Sequence, residues 1–161
     1  MDEIVLKPIG VIHSPFKDPK GTPIQPPGGR NISARIEIFP EYEEGLKDLD
    51  GFSHIILIYH FHRSKGSKLL VTPFMDDELR GVFSTRAPTR PNPIGLSVVE
   101  LVKVEGRTLH IECVDILDGT PILDIKPYVP EVDSCKDARV GWLANAKDRF
   151  EKKRADHRFT K

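Results

Sequence analysis

Short apolar segments separated by turn-forming residues constrain the fold of this chain most strongly. The segments are rich in Val and Ile, and Pro, Gly, Asn or Asp bounds most of them, which is typical of β-strands joined by turns. Parallel strands would need helical crossovers, and the sequence offers few helical segments. The expected strands are Val5–His13, Ser33–Ile38, His54–Phe61, Leu69–Thr72, Gly81–Ser84, Leu96–Glu105, Thr108–Val114 and Ile122–Pro127.

The arrangement of these strands predicts a mainly β fold, a single closed or nearly closed antiparallel β-barrel. Gly106-Arg107 predicts a tight hairpin, because glycine takes positive φ without strain. Two helices are expected, a short one at Glu41–Leu46 and a C-terminal one at Val140–Ala155. The segment from Lys17 to Arg30 contains four prolines and three glycines and is expected to be a loop. The 161 residues suit one domain, with a core over about residues 4–132 and a basic helix or tail over about 140–161.

Charge and cysteine content exclude several functional classes. The chain has 24 Lys and Arg against 24 Asp and Glu, so no overall field attracts a polyanion, and any such binding must come from local clusters. Cys113 and Cys135 lie far apart, which argues against a disulfide framework or a thiolate metal site and predicts a reducing, cytoplasmic location. No run of eighteen apolar residues is present, so neither membrane insertion nor secretion is expected.

A segment rich in arginine and proline, Phe83–Leu96, is the strongest functional signal, and we call it the arginine loop. It carries Arg86, Arg90 and Asn92 among three prolines, which preset the backbone and stiffen the path. No acidic residue lies between Leu79 and Val99. The two guanidinium groups are therefore available for an anionic ligand. A surface loop whose arginines are only hydrated, or pair with distant acids, remains the alternative.

Two histidines end the apolar strand that begins at His54. His60 and His62 are alternate strand residues and share a face, which is compatible with chelation of a metal. The next acidic residue is Asp76, too far along the chain for a compact site. We therefore predict no metal, and expect His62 to form hydrogen bonds or to stack on a ligand.

Two further clusters leave their roles open. Asp124, Lys126 and Tyr128 project to one face of a strand, either as a solvated surface or as ligand contacts. The segment from Lys147 to Lys161 holds seven basic and three acidic residues, a pattern shared by exposed helix faces and by tails that bind nucleic acid.

Five blocks of the sequence occur together in a characteristic order. The blocks are Ile9-Gly-Val-Ile-His-Ser-Pro15, Gly51-Phe-Ser-His54, Phe61-His62, Arg86 to Leu96, and Asp118-Gly-Thr-Pro-Ile-Leu-Asp-Ile-Lys-Pro-Tyr128. Together they resemble the TsaA-like, or TrmO-type, tRNA methyltransferase family over roughly Ile4 to Val132. The resemblance implies a small β-barrel that binds S-adenosylmethionine and acts as a homodimer. It also implies methylation of N6 of threonylcarbamoyladenosine at position 37 of tRNA, next to the anticodon, so that the expected partner is the anticodon stem-loop.

The resemblance also implies which residues bind the methyl donor. They come from the proline-rich loop, the end of the histidine strand, the arginine loop and the segment after Ile111. The residues are Pro26, Pro27, Gly28, His62, Arg63, Arg86, Leu96, Glu112, Cys113, Val114 and Asp115.

The chemistry of methyl transfer suggests the remaining roles. The N6 proton of the acceptor must be lost during or before attack, and the hypothesis is that Asp118 or Asp115 accepts it. Arg90, Lys126 and Tyr128 are candidates for phosphate contact or base stacking, and Asn92 with Arg90 for contact with RNA or a dimer partner. Two alternatives stay open: a non-enzymatic RNA-binding barrel, and a His-dependent metalloenzyme.

Overall fold

A closed barrel of six antiparallel strands dominates the structure, a computed structural model that describes residues 2–145, 152–156 and 158–159. The strands follow each other around the barrel in the order β1-β2-β7-β6-β3-β8, and a separate two-stranded sheet pairs β4 with β5. This confirms the predicted fold class. The strands are β1 Gly10–His13, β2 Ala34–Ile38, β3 His54–His60, β4 Leu70–Val71, β5 Arg80–Gly81, β6 Ile94–Glu105, β7 Thr108–Glu112 and β8 Pro121–Pro127.

Alternate residues of the strands fill the interior of the barrel. Because successive side chains point to opposite faces of a strand, one residue in two is buried, and the pattern is plainest in β3 and β6. Full burial of each such aliphatic side chain stabilises the fold by roughly 1.5–3 kcal/mol. The completely buried residues include Ile12, Ile36, Ile55, Leu57, Val99, Leu109 and Ile122.

The predicted hairpin at Gly106-Arg107 is confirmed. Glu105 pairs with Thr108, and Gly106 has a φ of 56°, in the region that glycine reaches without steric cost. The Arg107 guanidinium donates to the carbonyl of Ile38 at 2.8 Å, so the turn is also fixed to the neighbouring strand β2.

The helices are short. The helix expected at Glu41–Leu46 is confirmed as a 3₁₀ helix, Pro40–Leu46, with Pro40 in its first turn. Within the proline-rich loop, for which no regular structure was expected, Pro26–Gly29 forms a further 3₁₀ turn. No helix in the described part of the chain is long and apolar enough to cross a membrane.

Three strand predictions were wrong in extent. The first strand begins at Gly10 rather than Val5, since Pro8 has no amide hydrogen for a ladder. Val82–Ser84 is a 3₁₀ turn rather than strand, because the hydroxyls of Ser84 and Thr85 bond to carbonyl groups three residues earlier. The strand from Thr108 stops at Glu112, since Cys113 turns the chain with a φ of 62°.

The predicted C-terminal helix, Val140–Ala155, is also corrected. Gly141–Asn145 forms a 3₁₀ turn, whereas Arg154 lies in an isolated antiparallel bridge with Pro23. The amide and carbonyl groups of Ala155 bond to Thr22 and Gly21, both at 2.8 Å. Residues 146–151 lie outside the described residues.

Close backbone contact requires glycine at position 29. A Cβ atom built there would lie 2.0 Å from the carbonyl oxygen of Val114, whose side chain is fully buried. Neither partner can move without disturbing the barrel interior. The contact therefore holds the turn Pro26–Gly29 against the segment that follows β7.

We expect Gly29→Ala to lower the free energy of unfolding by about 1–3 kcal/mol, the usual cost of overpacking. Gly45→Ala is the matched control, because nothing lies within 4 Å of a Cβ at that position. Thermal or denaturant unfolding of the two variants measures the difference, and equal stability would contradict the assigned contact.

Candidate functional site

A cavity of about 1400 Å³ opens on one side of the barrel. Three segments that are distant in sequence surround it: the proline-rich loop, the arginine loop, and the C-terminal segment that includes Trp142 and Phe159. Its floor includes Tyr59 of β3, Gly95 of β6 and Asp115 of the segment that follows β7. This cavity, which has the size and the mixed lining of a ligand site, therefore coincides with the strongest sequence signal.

The two arginines of the arginine loop have different contacts. The Arg86 guanidinium donates to the Gln25 side-chain oxygen at 2.8 Å, which ties the arginine loop to the proline-rich loop across the cavity. Arg90 instead donates to the carbonyl groups of Thr85 and Ala87, at 3.2 and 3.4 Å. Arg90 thus stabilises the loop itself, whereas Arg86 is exposed and keeps further donors for a ligand.

Three polar side chains form a hydrogen-bonded chain at the floor of the cavity. Ser97 Oγ donates to Asp115 Oδ1 at 2.7 Å, and Tyr59 Oη lies 3.0 Å from Ser97 Oγ. With Asp115 ionised, the carboxylate can only accept, so Ser97 donates to it and Tyr59 donates to Ser97. Gly95 makes this possible, because a Cβ there would lie 2.3 Å from the Tyr59 ring.

The surroundings of Asp115 set the pKa of its carboxyl group. Burial raises the pKa of this carboxyl group to about 7, while the Ser97 hydrogen bond and the charge of Arg86 act in the opposite direction. Burial also raises the pKa of Tyr59, so that its phenol stays protonated. Asp115 is therefore a carboxyl group that can both lose and accept a proton near neutral pH.

His62 lies on the cavity wall beside Thr120. Its Nδ1 is 3.2 Å from Thr120 Oγ1. Burial, followed by the charges of Arg63 and His60, lowers its pKa below the usual value, so the imidazole is neutral at pH 7. In the ranges that the structure describes, no three His, Cys, Asp or Glu side chains converge as a metal site.

Most of the predicted donor-site residues surround the cavity. Gly28, Glu112 and Val114 are the exceptions among them, and Gly28 and Val114 are buried. Of the predicted substrate residues, Arg90 and Asn92 line the cavity. The donor-site residues that line it are Pro26, Pro27, His62, Arg63, Arg86, Leu96, Cys113 and Asp115.

Three predicted residues lie away from the described cavity wall. Asp118 accepts hydrogen bonds from the Lys17 ammonium and, at 3.0 Å, from the Ser14 amide, and these contacts keep its pKa below the usual value. Lys126 pairs with Asp124 at 2.8 Å. The Tyr128 ring packs edge-on against His54, with centroids 6.4 Å apart, and only His54 of this pair reaches the cavity.

Sequence reasoning missed Ser97, Tyr59 and the C-terminal wall. Ser97 and Tyr59 are polar residues at inward positions of otherwise apolar strands, and this exception to the alternation is the signal that could have found them. The C-terminal wall gave no comparable signal. The Trp142 ring nitrogen donates to the Ser84 carbonyl at 2.9 Å, and the buried Phe159 packs edge-on against Phe74 with centroids 4.9 Å apart.

A closed antiparallel barrel whose cavity holds an exposed arginine and the carboxyl group of Asp115 belongs to the class of small ligand-binding β-barrels. Residues 11–134 match the family of the tRNA-methyltransferase O N-terminal domain, and the chain belongs to this family. The family assignment made from the sequence is thereby confirmed. The match also confirms the expected class of enzyme and its expected methyl donor, S-adenosylmethionine.

Individual relatives agree with this assignment. A protein of Pyrococcus abyssi, named a probable S-adenosyl-L-methionine-binding protein, is 60% identical over 97% of this chain and 85% of its own length. The mouse tRNA (adenine(37)-N6)-methyltransferase is 39% identical over 81% of this chain and 32% of its own length. The crystal structure of TrmO from Pseudomonas aeruginosa superposes with a TM-score of 0.74 at 38% identity, over 88% of this chain and 63% of that one. The chain thus spans only part of several of the proteins it matches.

We expect Ser97→Ala to raise the pKa of Asp115 further, by about 1–2 units, because a hydrogen bond to a charged group contributes about 1.5–3 kcal/mol. Carboxyl ¹³C titration by NMR measures this directly. Ser33→Ala, at an exposed serine, is the control. An unchanged Asp115 pKa in Ser97→Ala would show that the hydroxyl does not stabilise the carboxylate.

Proposed function

We propose that this chain transfers a methyl group from S-adenosylmethionine to N6 of threonylcarbamoyladenosine at position 37 of tRNA, and that it does so as a homodimer in the cytoplasm. The observation that carries the proposal is the Asp115 carboxyl group, which has a pKa of about 7 and lies in the same cavity as Arg86. Membership of the tRNA-methyltransferase O family and the names of the relatives support the donor and the RNA substrate. The particular nucleoside rests on the family resemblance.

The cavity residues suit the methyl donor. S-adenosylmethionine supplies a methyl group activated by a sulfonium centre and carries an amino-acid carboxylate. Arg86 would bind that carboxylate, since a guanidinium pairs with carboxylates through two parallel hydrogen bonds. Pro26, Pro27 and Leu96 offer apolar surface for the adenosine portion, and Cys113 lines the cavity beside them. His62 and Arg63 complete this part of the site from the end of β3.

Asp115 is the better candidate of the two carboxylates for the proton acceptor. A general base works best when its pKa lies near the operating pH. Burial moves the pKa of Asp115 to about 7, whereas the bonds from Lys17 and Ser14 hold the pKa of Asp118 below its usual value. Asp115 also lies on the cavity wall, and Ser97 orients the carboxyl group through its Oδ1 oxygen.

The substrate side of the cavity remains the proposed place for RNA. Asn92 is exposed there and Arg90 holds the loop that presents it. An anticodon-loop base is partly unstacked already, so placing it in an open cavity costs less than extrusion from a duplex. Lys126 and Tyr128 would contact more distant parts of the tRNA, since neither lines this cavity.

The central test follows methylation in vitro. Purified protein is incubated with S-adenosylmethionine and threonylcarbamoylated tRNA, and the nucleosides are analysed by mass spectrometry. We expect a mass increase of one methyl group on that nucleoside. Calorimetric titration with S-adenosylmethionine alone distinguishes a non-enzymatic RNA-binding barrel, which would bind RNA but not the donor.

We expect Asp115→Asn to slow single-turnover methylation by at least about 100-fold, the lower end of the usual contribution of general-base catalysis. Asp118→Asn is the comparison, and it should retain a rate within a few-fold of the original protein. A larger loss in Asp118→Asn than in Asp115→Asn would reverse the assignment.

Asp115→Asn, which is expected to slow the reaction, should make the folded protein more stable at neutral pH. Because the folded-state pKa of Asp115 is raised from its ordinary 3.8 to about 7, the folded chain binds the proton more tightly than the unfolded chain does. This group therefore makes the protein less stable as pH rises from about 4 to about 7. Above pH 7, Asp115→Asn should have a higher melting temperature than the original protein, whereas near pH 3 the two should be equal.

An exposed apolar strip supports the homodimer. Phe83 is 75% exposed and Leu96 49%, and both line the open side of the cavity together with Ile94 and Val98. A second copy that packed against this strip would remove apolar area from water.

We expect Phe83→Arg combined with Ile94→Arg to convert the dimer into a monomer, because a guanidinium buried in an apolar interface is strongly unfavourable. Sedimentation velocity at several protein concentrations measures the change. Val132→Arg is the control, since Val132 is 79% exposed but lies outside the described cavity wall. A monomeric original protein would refute the dimer while leaving the proposed reaction intact.

A further inference from the structure

The loop between β3 and β4 carries an unusual concentration of positive charge. Arg63, Lys65 and Lys68 are all exposed there, and no Asp or Glu occurs between Asp50 and Asp76. None of the three forms an ion pair with a described residue, whereas Lys17, Lys103 and Lys126 all have acidic partners. The loop therefore presents three cations that the fold itself does not use.

The loop is fixed against the arginine loop by hydrogen bonds. Ser64 Oγ donates to the carbonyl of Pro88 at 3.0 Å, and the Lys68 amide donates to the carbonyl of Thr89 at 3.2 Å. Within the loop, the Ser64 amide donates to the carbonyl of Phe61 at 2.9 Å. These bonds order the backbone before any ligand arrives, so less conformational entropy is lost on binding.

The two joined loops form one basic surface at the rim of the cavity. The arginine loop adds Arg86 and Arg90 and lies in a second acid-free stretch, between Glu78 and Glu100. Five cations thus lie on two adjoining loops, in a chain whose formal net charge is zero, which leaves a formal charge of −5 for the remainder. This asymmetry would orient an approaching polyanion with its backbone towards the cavity side of the barrel.

We propose that Lys65 and Lys68 bind backbone phosphates of the RNA on either side of the nucleotide that enters the cavity. The inference rests on the proposed function for the identity of the polyanion. Lysine acts as a compact point charge on a flexible stem, which suits sequence-independent contact with phosphates rather than recognition of a base. The loop that carries them joins the cavity wall through Arg63 and Ser64, both of which line the cavity. On this proposal the RNA backbone would run across the loop from residue 63, at the cavity wall, to residue 68.

The test compares RNA binding by Lys65→Ala/Lys68→Ala with binding by Lys47→Ala/Lys136→Ala. The control removes the same charge at two exposed lysines that belong to neither of the two joined loops. Fluorescence anisotropy with a labelled anticodon stem-loop RNA is measured from 50 to 200 mM salt. We expect the first variant to bind several-fold more weakly at 100 mM salt and to lower the slope of log K against log salt by about 1.4, the value for two phosphate contacts with single-stranded nucleic acid. The control should lower the affinity only slightly and should leave the slope of log K against log salt unchanged.

Two further measurements separate this inference from the proposed function. Lys65→Arg/Lys68→Arg should restore affinity and salt slope, since the charges return. Calorimetry should show unchanged binding of S-adenosylmethionine to Lys65→Ala/Lys68→Ala. Equal RNA binding by the two alanine variants would overturn the inference, as would loss of donor binding in the first. If the original protein bound RNA with the expected salt slope but did not methylate it, the proposed methylation would be refuted. Phosphate binding by Lys65 and Lys68 would then still be supported.

Discussion

The pairing of β3 with β6 is the constraint on which both the core and the candidate site depend. In this register Leu57 lies opposite Ser97 and Tyr59 lies opposite Gly95. The empty position at Gly95 admits the Tyr59 ring, whose hydroxyl then reaches Ser97, and Ser97 reaches Asp115. A shift of one residue would turn every inward side chain outwards. One ladder of backbone hydrogen bonds therefore aligns the apolar interior and the polar chain at once.

The loops around the cavity are held by contacts between segments distant in sequence rather than by regular structure. Arg86 bonds to Gln25, Ser64 to Pro88, and Trp142 to Ser84. Arg158 donates to the carbonyl of Pro73 at 2.7 Å and lies over the Phe74 ring at 5.2 Å. A side chain that donates a hydrogen bond to a carbonyl group of another loop replaces the backbone partner that the carbonyl would have in a β-sheet. This is how a region with many prolines and few strands remains ordered.

The strands were predictable because alternation and turn residues are local properties. The inward residues of β3 and β6 follow a period of two, and Gly106 marks the turn that joins β6 to β7. The helix predicted over Val140–Ala155 was wrong at its described ends for the converse reason, since Ala155 bonds to Gly21 and Thr22, which are distant in sequence. Arg158 finds its acceptors at Thr72 and Pro73, and no local pattern records a contact over that distance. The pairing of Ser97 with Asp115 likewise depends on a register that the sequence of either segment does not contain.

The hydrogen-bonded series Tyr59–Ser97–Asp115 does not stabilise the fold at neutral pH, which argues that it serves a function. A carboxyl group whose pKa is raised by burial destabilises the fold at neutral pH relative to an apolar or neutral residue of similar size. The barrel already has a continuous apolar core of aliphatic side chains, so it does not need Asp115 for packing. Ser97 donates to the carboxylate and Tyr59 donates to Ser97, but this single hydrogen bond does not offset burial, which raises the pKa of Asp115 to about 7. A structural ion pair such as Arg158 with Asp156 shows the opposite behaviour, because the pKa of its carboxyl group is lowered.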